Sequence, residues 1–229
     1  MRSRAFATFL FLISLSATPD SPKDMILARM DKAASEFKNM TARVSNLVHT
    51  DVISEDNTET GTVVMQKVAA GQVQGLIDFL APDKRTISFE NRKLRIYYPE
   101  INTVQEFDLG THGDQLDQFL MIGFGTSGTA LAKDYDVSAQ VETVKNFEGT
   151  HTIRLLLRPK TADARQYVKK VELWIPETGP PYPVQEKISA PSGDYRVITY
   201  TELKTNQPLP PGALQLKARQ GFKTVYPGK

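Results

Sequence analysis

Ile87-Ser-Phe-Glu-Asn-Arg-Lys-Leu-Arg-Ile-Tyr-Tyr98 alternates apolar and polar side chains on either side of a short polar link. Ile87 and Phe89 alternate with Ser88 and Glu90, and Leu94, Ile96 and Tyr98 alternate with Arg95 and Tyr97. A period of two puts successive side chains on opposite faces of a strand, so each half of this stretch is a strand with two unlike faces. The link, Glu90-Asn-Arg-Lys93, has the length and polarity of a hairpin turn, and Pro99-Glu-Ile-Asn102 makes a second turn leading into Thr103–Asp108. The simplest arrangement of the three strands is an antiparallel meander.

The same period extends in both directions. Strands are expected at about 43–53, 60–69, 72–81, 136–145, 150–158, 167–175, 184–190 and 194–204. Ile153, Leu155 and Leu157 fall on one side, as do Val171, Leu173 and Ile175, and Pro176-Glu-Thr-Gly-Pro-Pro181 punctuates the run. No rhythm of alternating strand and helix appears, which excludes a parallel sheet of βαβ units. The expected class is α+β, with one curved antiparallel sheet of about 10–11 strands in a single domain. Such a sheet presents a face larger than two or three short helices fill. A curved sheet with a partly open, apolar concavity follows, although periodicity alone does not separate a pocket from a closed core.

Two helical segments interrupt the β pattern. Ser21-Pro-Lys-Asp24 is a helix start, with Ser as N-cap and Pro at the first helical position. Ile26, Met30, Ala33, Phe37 and Met40 then recur at helical spacing, predicting one apolar face on a helix running to about Lys38. Between Gly113 and Lys133, Leu116, Phe119 and Leu120 lie on a short amphipathic helix followed by Gly123-Phe-Gly-Thr-Ser-Gly128. This pairing predicts a helical lid (Leu116, Phe119, Leu120, Phe124) on a hinge of Gly123, Gly125 and Gly128; a fixed covering helix is the alternative. The glycine pattern also reads G-x-G-x-x-G, but a helical pattern precedes it and only a short segment follows, so it lacks the strand and helix of a dinucleotide site.

Composition removes other classes. The chain has 229 residues and no Cys, which leaves no disulfide framework, thiolate metal site, Cys nucleophile or acylated lipobox cysteine. Lys and Arg number 28 against 26 Asp and Glu with no block of one sign, so no nucleic-acid footprint is present. The three histidines, His49, His112 and His151, show no metal-ligand spacing, and no serine-hydrolase or zinc-protease signature occurs. Neither a metal, a cofactor nor catalysis is expected. Met1-Arg-Ser-Arg4, the apolar run that follows and Ser14 and Ser16 as small residues read as a secretory signal over about residues 1–16, leaving 17–229 as the mature domain.

The order of segments resembles the periplasmic outer-membrane lipoprotein carrier family, the LolA-like proteins. The resemblance is carried by Gly61-Thr-Val-Val-Met-Gln-Lys67, by Phe79-Leu-Ala-Pro-Asp-Lys-Arg-Thr-Ile87, and by the segment Glu90–Gln105 with its Tyr98-Pro99. Leu155-Leu-Leu-Arg-Pro-Lys160, Val171-Glu-Leu-Trp-Ile-Pro176 and Asn206-Gln-Pro-Leu-Pro-Pro-Gly212 continue it, so that it spans nearly the whole mature chain. It implies a half-open antiparallel barrel, and with it a monomeric periplasmic carrier that holds lipoprotein acyl chains, or another lipid, in a hydrophobic cavity under a lid. An inner-membrane releasing complex and an outer-membrane receptor are the implied partners. A non-carrier envelope sensor or interaction scaffold on the same fold is the alternative. Candidates for the cavity wall are Phe79, Phe89, Ile96 and Tyr98. One departure concerns a family Arg just inside the second strand, where Lys67 is the only cation in Met65-Gln-Lys-Val68.

Overall fold

The computed structural model describes residues 21–69, 72–110, 120–143 and 151–227. The proposed export segment, and Leu116 and Phe119 of the proposed lid, lie outside them. Helix α1, Pro22–Glu36, begins where Ser21 Oγ accepts a hydrogen bond from the Asp24 amide. It leads into strands β1 (Asn39–Thr50), β2 (Glu55–Ala69), β3 (Gln72–Ala81), β4 (Arg85–Glu90), β5 (Lys93–Tyr98) and β6 (Thr103–Asp108). A short helix α2 (Gly128–Asp134) precedes β7 (Tyr135–Thr143) and β8 (His151–Pro159). Helix α3 (Ala162–Tyr167) then precedes β9 (Lys170–Pro176), β10 (Gln185–Ser189), β11 (Tyr195–Thr205) and β12 (Lys223–Val225).

All twelve strands form one sheet, ordered β12-β6-β5-β4-β3-β2-β1-β11-β10-β9-β8-β7. Every pairing is antiparallel except β12 with β6, and the long β1–β2 hairpin lies at the centre. The sequence signal gave one strand fewer because β12 is only three residues long and is held by its parallel pairing to β6.

Cross-strand register gathers most of the apolar side chains on one face, while Leu76, Tyr97 and Val104 are buried in the opposite phase. Leu155 pairs with Leu173, Val44 with Gly61, and Ile77 with both Val63 and Ile87. Over β7–β9 this face is sealed: Ile26 and Met30 of α1, with Ile122 and Leu131, pack on Ile153, Leu155 and Leu173. Arg29 fixes the helix there by donating to the carbonyls of Pro176, Glu177 and Gly179 at 2.8–3.1 Å.

The helix ends earlier than its apolar spacing predicts. Phe37 and Met40 are buried as expected, but Phe37 is extended and Met40 belongs to β1. A distant residue stops the helix: Asn206 donates from Nδ2 to the Glu36 carbonyl and accepts from the Lys38 amide at Oδ1. These bonds satisfy groups that a continuing helix would have paired internally.

The segment after β11 crosses to the outer face of β3–β6. It is pinned where Asn102 donates to the Gln220 carbonyl, where the Arg219 amide donates to Tyr97 Oη, and where the Arg219 guanidinium reaches the Pro99 carbonyl. Among the described residues no helix is long and apolar enough to cross a membrane, which says nothing of strands.

Candidate functional site

The inner face is not sealed everywhere. Between the sheet and the 120–124 segment lies a cavity of about 530 Å³, within the usual range for ligand pockets. Met40, Val63, Met65, Ile77, Phe79 and Phe89 wall its apolar part from the sheet, and Leu120, Ile122 and Phe124 close over it. Phe124 is held by Tyr182, stacked at 5.9 Å, and by Tyr200, met edge-on at 4.9 Å.

Of the residues singled out from sequence, the cavity brings together Phe79, Phe89, Leu120 and Phe124. Ile96 shares their face, as the partner of Ile87, but lies one strand further out and does not line the cavity. Tyr98, at the end of β5 opposite Thr103, does not line it either. Gly123 sits at φ +84°, where a side chain would strain the backbone and collide with Pro183 and Glu186. Gly128 begins α2 with its Cα against the Leu27 backbone of α1, so its role here is close approach. Lys67 Nζ donates at 3.4 Å to the Ala34 carbonyl near the end of α1.

Sequence reasoning missed the polar half of the site. A row of paired residues crosses four strands: Glu186 opposite Ile198, Ile198 opposite Asn46, and Asn46 opposite Glu59. All four line the cavity. Arg85 donates from Nη1 to Glu59 Oε1 at 2.6 Å and stacks over Phe79 at 4.3 Å, while Asn46 Nδ2 donates to Glu59 Oε2 at 3.0 Å. Burial works to raise the Glu59 carboxyl, but the hydrogen bonds from Arg85 and Asn46 outweigh it and hold it below the usual carboxylate range. Glu186 is the opposite case. Its burial pushes the carboxyl up to about 8, only partly offset by a hydrogen bond with Tyr200, so it is neutral at pH 7. Tyr200 is itself raised well above its ordinary value by burial and by the neighbouring acid.

A signal for this row existed in the strand phase. Glu186 alternates in step with Ile188, and Asn46 with Val44 and Val48, so polar residues occupy the inward phase. Only cross-strand register brings them into one row.

Arg85→Met is expected to destabilise the fold by about 2 kcal/mol at pH 7, the scale of a hydrogen bond to a charged group. Glu59 would keep Asn46 but lose its cation. The stabilisation contributed by a lowered carboxyl is present above its unfolded pKa and is lost as pH falls through the folded one. The difference between wild type and variant should therefore shrink below about pH 4.5, as urea denaturation at pH 7 and pH 3 will measure. A pH-independent difference would contradict the pairing.

Among the described residues no group of three or more His, Asp or Glu is arranged to hold a metal ion.

This curved antiparallel sheet with its cavity is a fold shared with the solved structure of MucB. Among solved structures, MucB superposes with a TM-score of 0.53 at 15% identity, over 87% of this chain and 64% of MucB. The Pseudomonas aeruginosa MucA/MucB complex matches at 0.46 and 16% identity, over 86% of this chain and 62% of the other. A LolA superfamily protein from Nitrosomonas europaea matches at 0.40 and 12% identity, over 86% and 99%. The likeness is one of fold, and this chain spans about two thirds of the length of MucB. No family model matches the sequence, and no curated protein does.

Proposed function

We propose that this protein is a carrier of the bacterial envelope that binds an acyl chain of a lipoprotein, or of another acylated lipid, in the cavity beneath Phe124, without catalysing a reaction. The observation carrying this reading is the cavity's polarity gradient. Its wall on β1 is apolar at Met40 and Val44 and becomes mixed from Asn46, where Arg196 and Asn57 flank Val48 on the neighbouring strands. Met40 to Asn46 spans about 20 Å of strand, and an acyl chain fills one leaflet of hydrocarbon about 15 Å deep. One chain therefore fits the apolar end, with its polar linkage at the Asn46 row. Ten buried methylenes at about 0.8 kcal/mol each contribute roughly 8 kcal/mol, a micromolar affinity before ordering costs.

Val63 lies mid-wall on β2, with Ala42 and Ile77 as its neighbours across the strands. Val63→Trp fills the cavity and is expected to lower acyl-chain uptake at least tenfold, with the melting temperature retained within a few degrees. Native mass spectrometry of protein purified from a periplasm reads both variants for a lipid-sized adduct. Uptake undiminished by the Trp would sink the cavity assignment. The second reading, recognition of a protein partner, draws on the likeness of fold to MucB, a protein solved in complex with MucA. It would be favoured by a clean apo mass together with no uptake of added lipid.

A further inference from the structure

Two polar atoms in this cavity wall have no partner among the described residues: Asn46 Oδ1 and Glu186 Oε1. Their residues are 5% and 7% exposed, and both line the cavity. Buried polar groups are almost always hydrogen-bonded, and an orphan calls for a physical explanation. Turning the Asn46 amide over does not supply one, because its Nδ2 is committed to the Glu59 carboxylate, which only accepts. Nor can the Glu186 carboxyl be satisfied from above, since its Oε1 lies under Gly123, where not even a Cβ would fit comfortably.

The two residues belong to one row, separated by the Ile198 strand, so their backbones stand about 10 Å apart. A modest turn about the last side-chain torsion, which is soft for amide and carboxyl groups, aims either oxygen at a ligand lying between them. We infer that Asn46 and Glu186 form a polar subsite that selects a ligand whose acyl chain ends in a neutral group able both to donate and to accept a hydrogen bond, an amide being the simplest. This rests on the acyl-binding reading above.

The chemistry of the row favours an amide over the alternatives. Arg85 is already engaged by Glu59 at 2.6 Å, and the cavity's other cation, Arg196, stands opposite Val48, two residues along β1 from Asn46, so a carboxylate drawn to Arg196 is the competing outcome that laurate tests. Asn46 Oδ1 needs a donor, which neither a carboxylate nor an ester has. Glu186, neutral at pH 7, donates its carboxyl proton to a carbonyl. A trans amide places N–H and C=O on opposite sides, as two facing side chains require. The strand phase sets Glu186 in step with Ile188, but only cross-strand register brings it into one row with Asn46, so this selectivity belongs to the assembled sheet.

Three probes of equal chain length separate the possibilities: N-lauroylethanolamine, methyl laurate and laurate, titrated calorimetrically into the periplasm-purified protein at pH 7. The amide is expected to bind about tenfold more tightly than either other probe, the scale of one to two hydrogen bonds. Asn46→Leu, which removes the acceptor for the amide N–H, should reduce that preference, Glu186→Met, which removes the donor to the carbonyl, should weaken amide and methyl laurate alike, and Glu186→Gln, which keeps a donor and an acceptor, should retain the wild-type order. Equal affinities for the three probes in wild type would overturn the subsite and leave the acyl reading standing. A preference that survives Asn46→Leu, or amide and ester affinities unmoved by Glu186→Met, would overturn its assignment to these residues. Absence of binding by all three would overturn both readings together.

Discussion

Glu186→Gln is expected to raise the stability of the protein by about 3 kcal/mol at pH 7 and to leave it nearly unchanged at pH 4. The carboxyl is buried under Gly123, with Tyr200 as its hydrogen-bonding neighbour among the described residues, and is pushed up to about 8 from a usual value of 4.5. Below 4.5 the acid is protonated whether the chain is folded or unfolded, and its contribution is constant. Between 4.5 and about 8 the unfolded chain releases the proton while the folded chain keeps it, so stability falls by about 1.4 kcal/mol per pH unit. Above about 8 both states are ionised, and the loss levels off. Gln is neutral throughout and escapes the slope. Subtracting wild type from variant across pH 4–9 in urea melts isolates this group, because all other titrations cancel. A flat difference would mean that Glu186 is solvated or paired in the folded protein. The same burial gives the ligand subsite its proton donor, so stability is given up to place a neutral acid in the cavity wall.

Gly128→Val should be the most damaging single change outside the sheet. A Cβ at this position would stand 2.2 Å from the Leu27 carbonyl oxygen and 2.6 Å from its Cα. Both are backbone atoms of a helix, so no side-chain rotation relieves the clash, and α1 has to leave α2. That contact is further tied by Asp31, which accepts from the Thr129 amide at 2.9 Å and from its hydroxyl at 3.1 Å. Overpacking of this kind costs about 3 kcal/mol, near the upper end of the usual range. Moving α1 also uncovers Ile26 and Met30, whose burial seals β7–β9. The measurement is a denaturant midpoint together with binding of an apolar dye. A normal midpoint and no dye binding would show that the helices separate at little cost.

Much of the scaffold was legible because its signals are local. The hairpin around Asn91 and Arg92, both at positive φ, follows from strand phase and a short polar link. The alternation that sets Phe79, Phe89, Leu155 and Leu173 apart from their polar neighbours was legible too, but not which face of the sheet is concave. Helix α1 announced itself through Ser21 and Pro22. Its end did not, because the groups that stop it come from Asn206. Met40 illustrates the limit: its burial was legible from its apolar character, but its element was not.

The functional half of the molecule was legible only in part. Phe79 and Phe89 could be named as inward aromatics, whereas Ile96, of the same phase, falls one strand beyond the cavity. The strands, their alternating faces and the consecutive hairpins could be read along the chain, since these depend on neighbours within a few residues. That β1 pairs with β11, that Glu186, Asn46 and Glu59 stand in one row, and that Phe124 closes over them emerged on folding alone. Those outcomes are set by register between strands far apart in the chain. They also depend on how much of a curved face a few helices can cover, and neither leaves a periodic mark in the sequence.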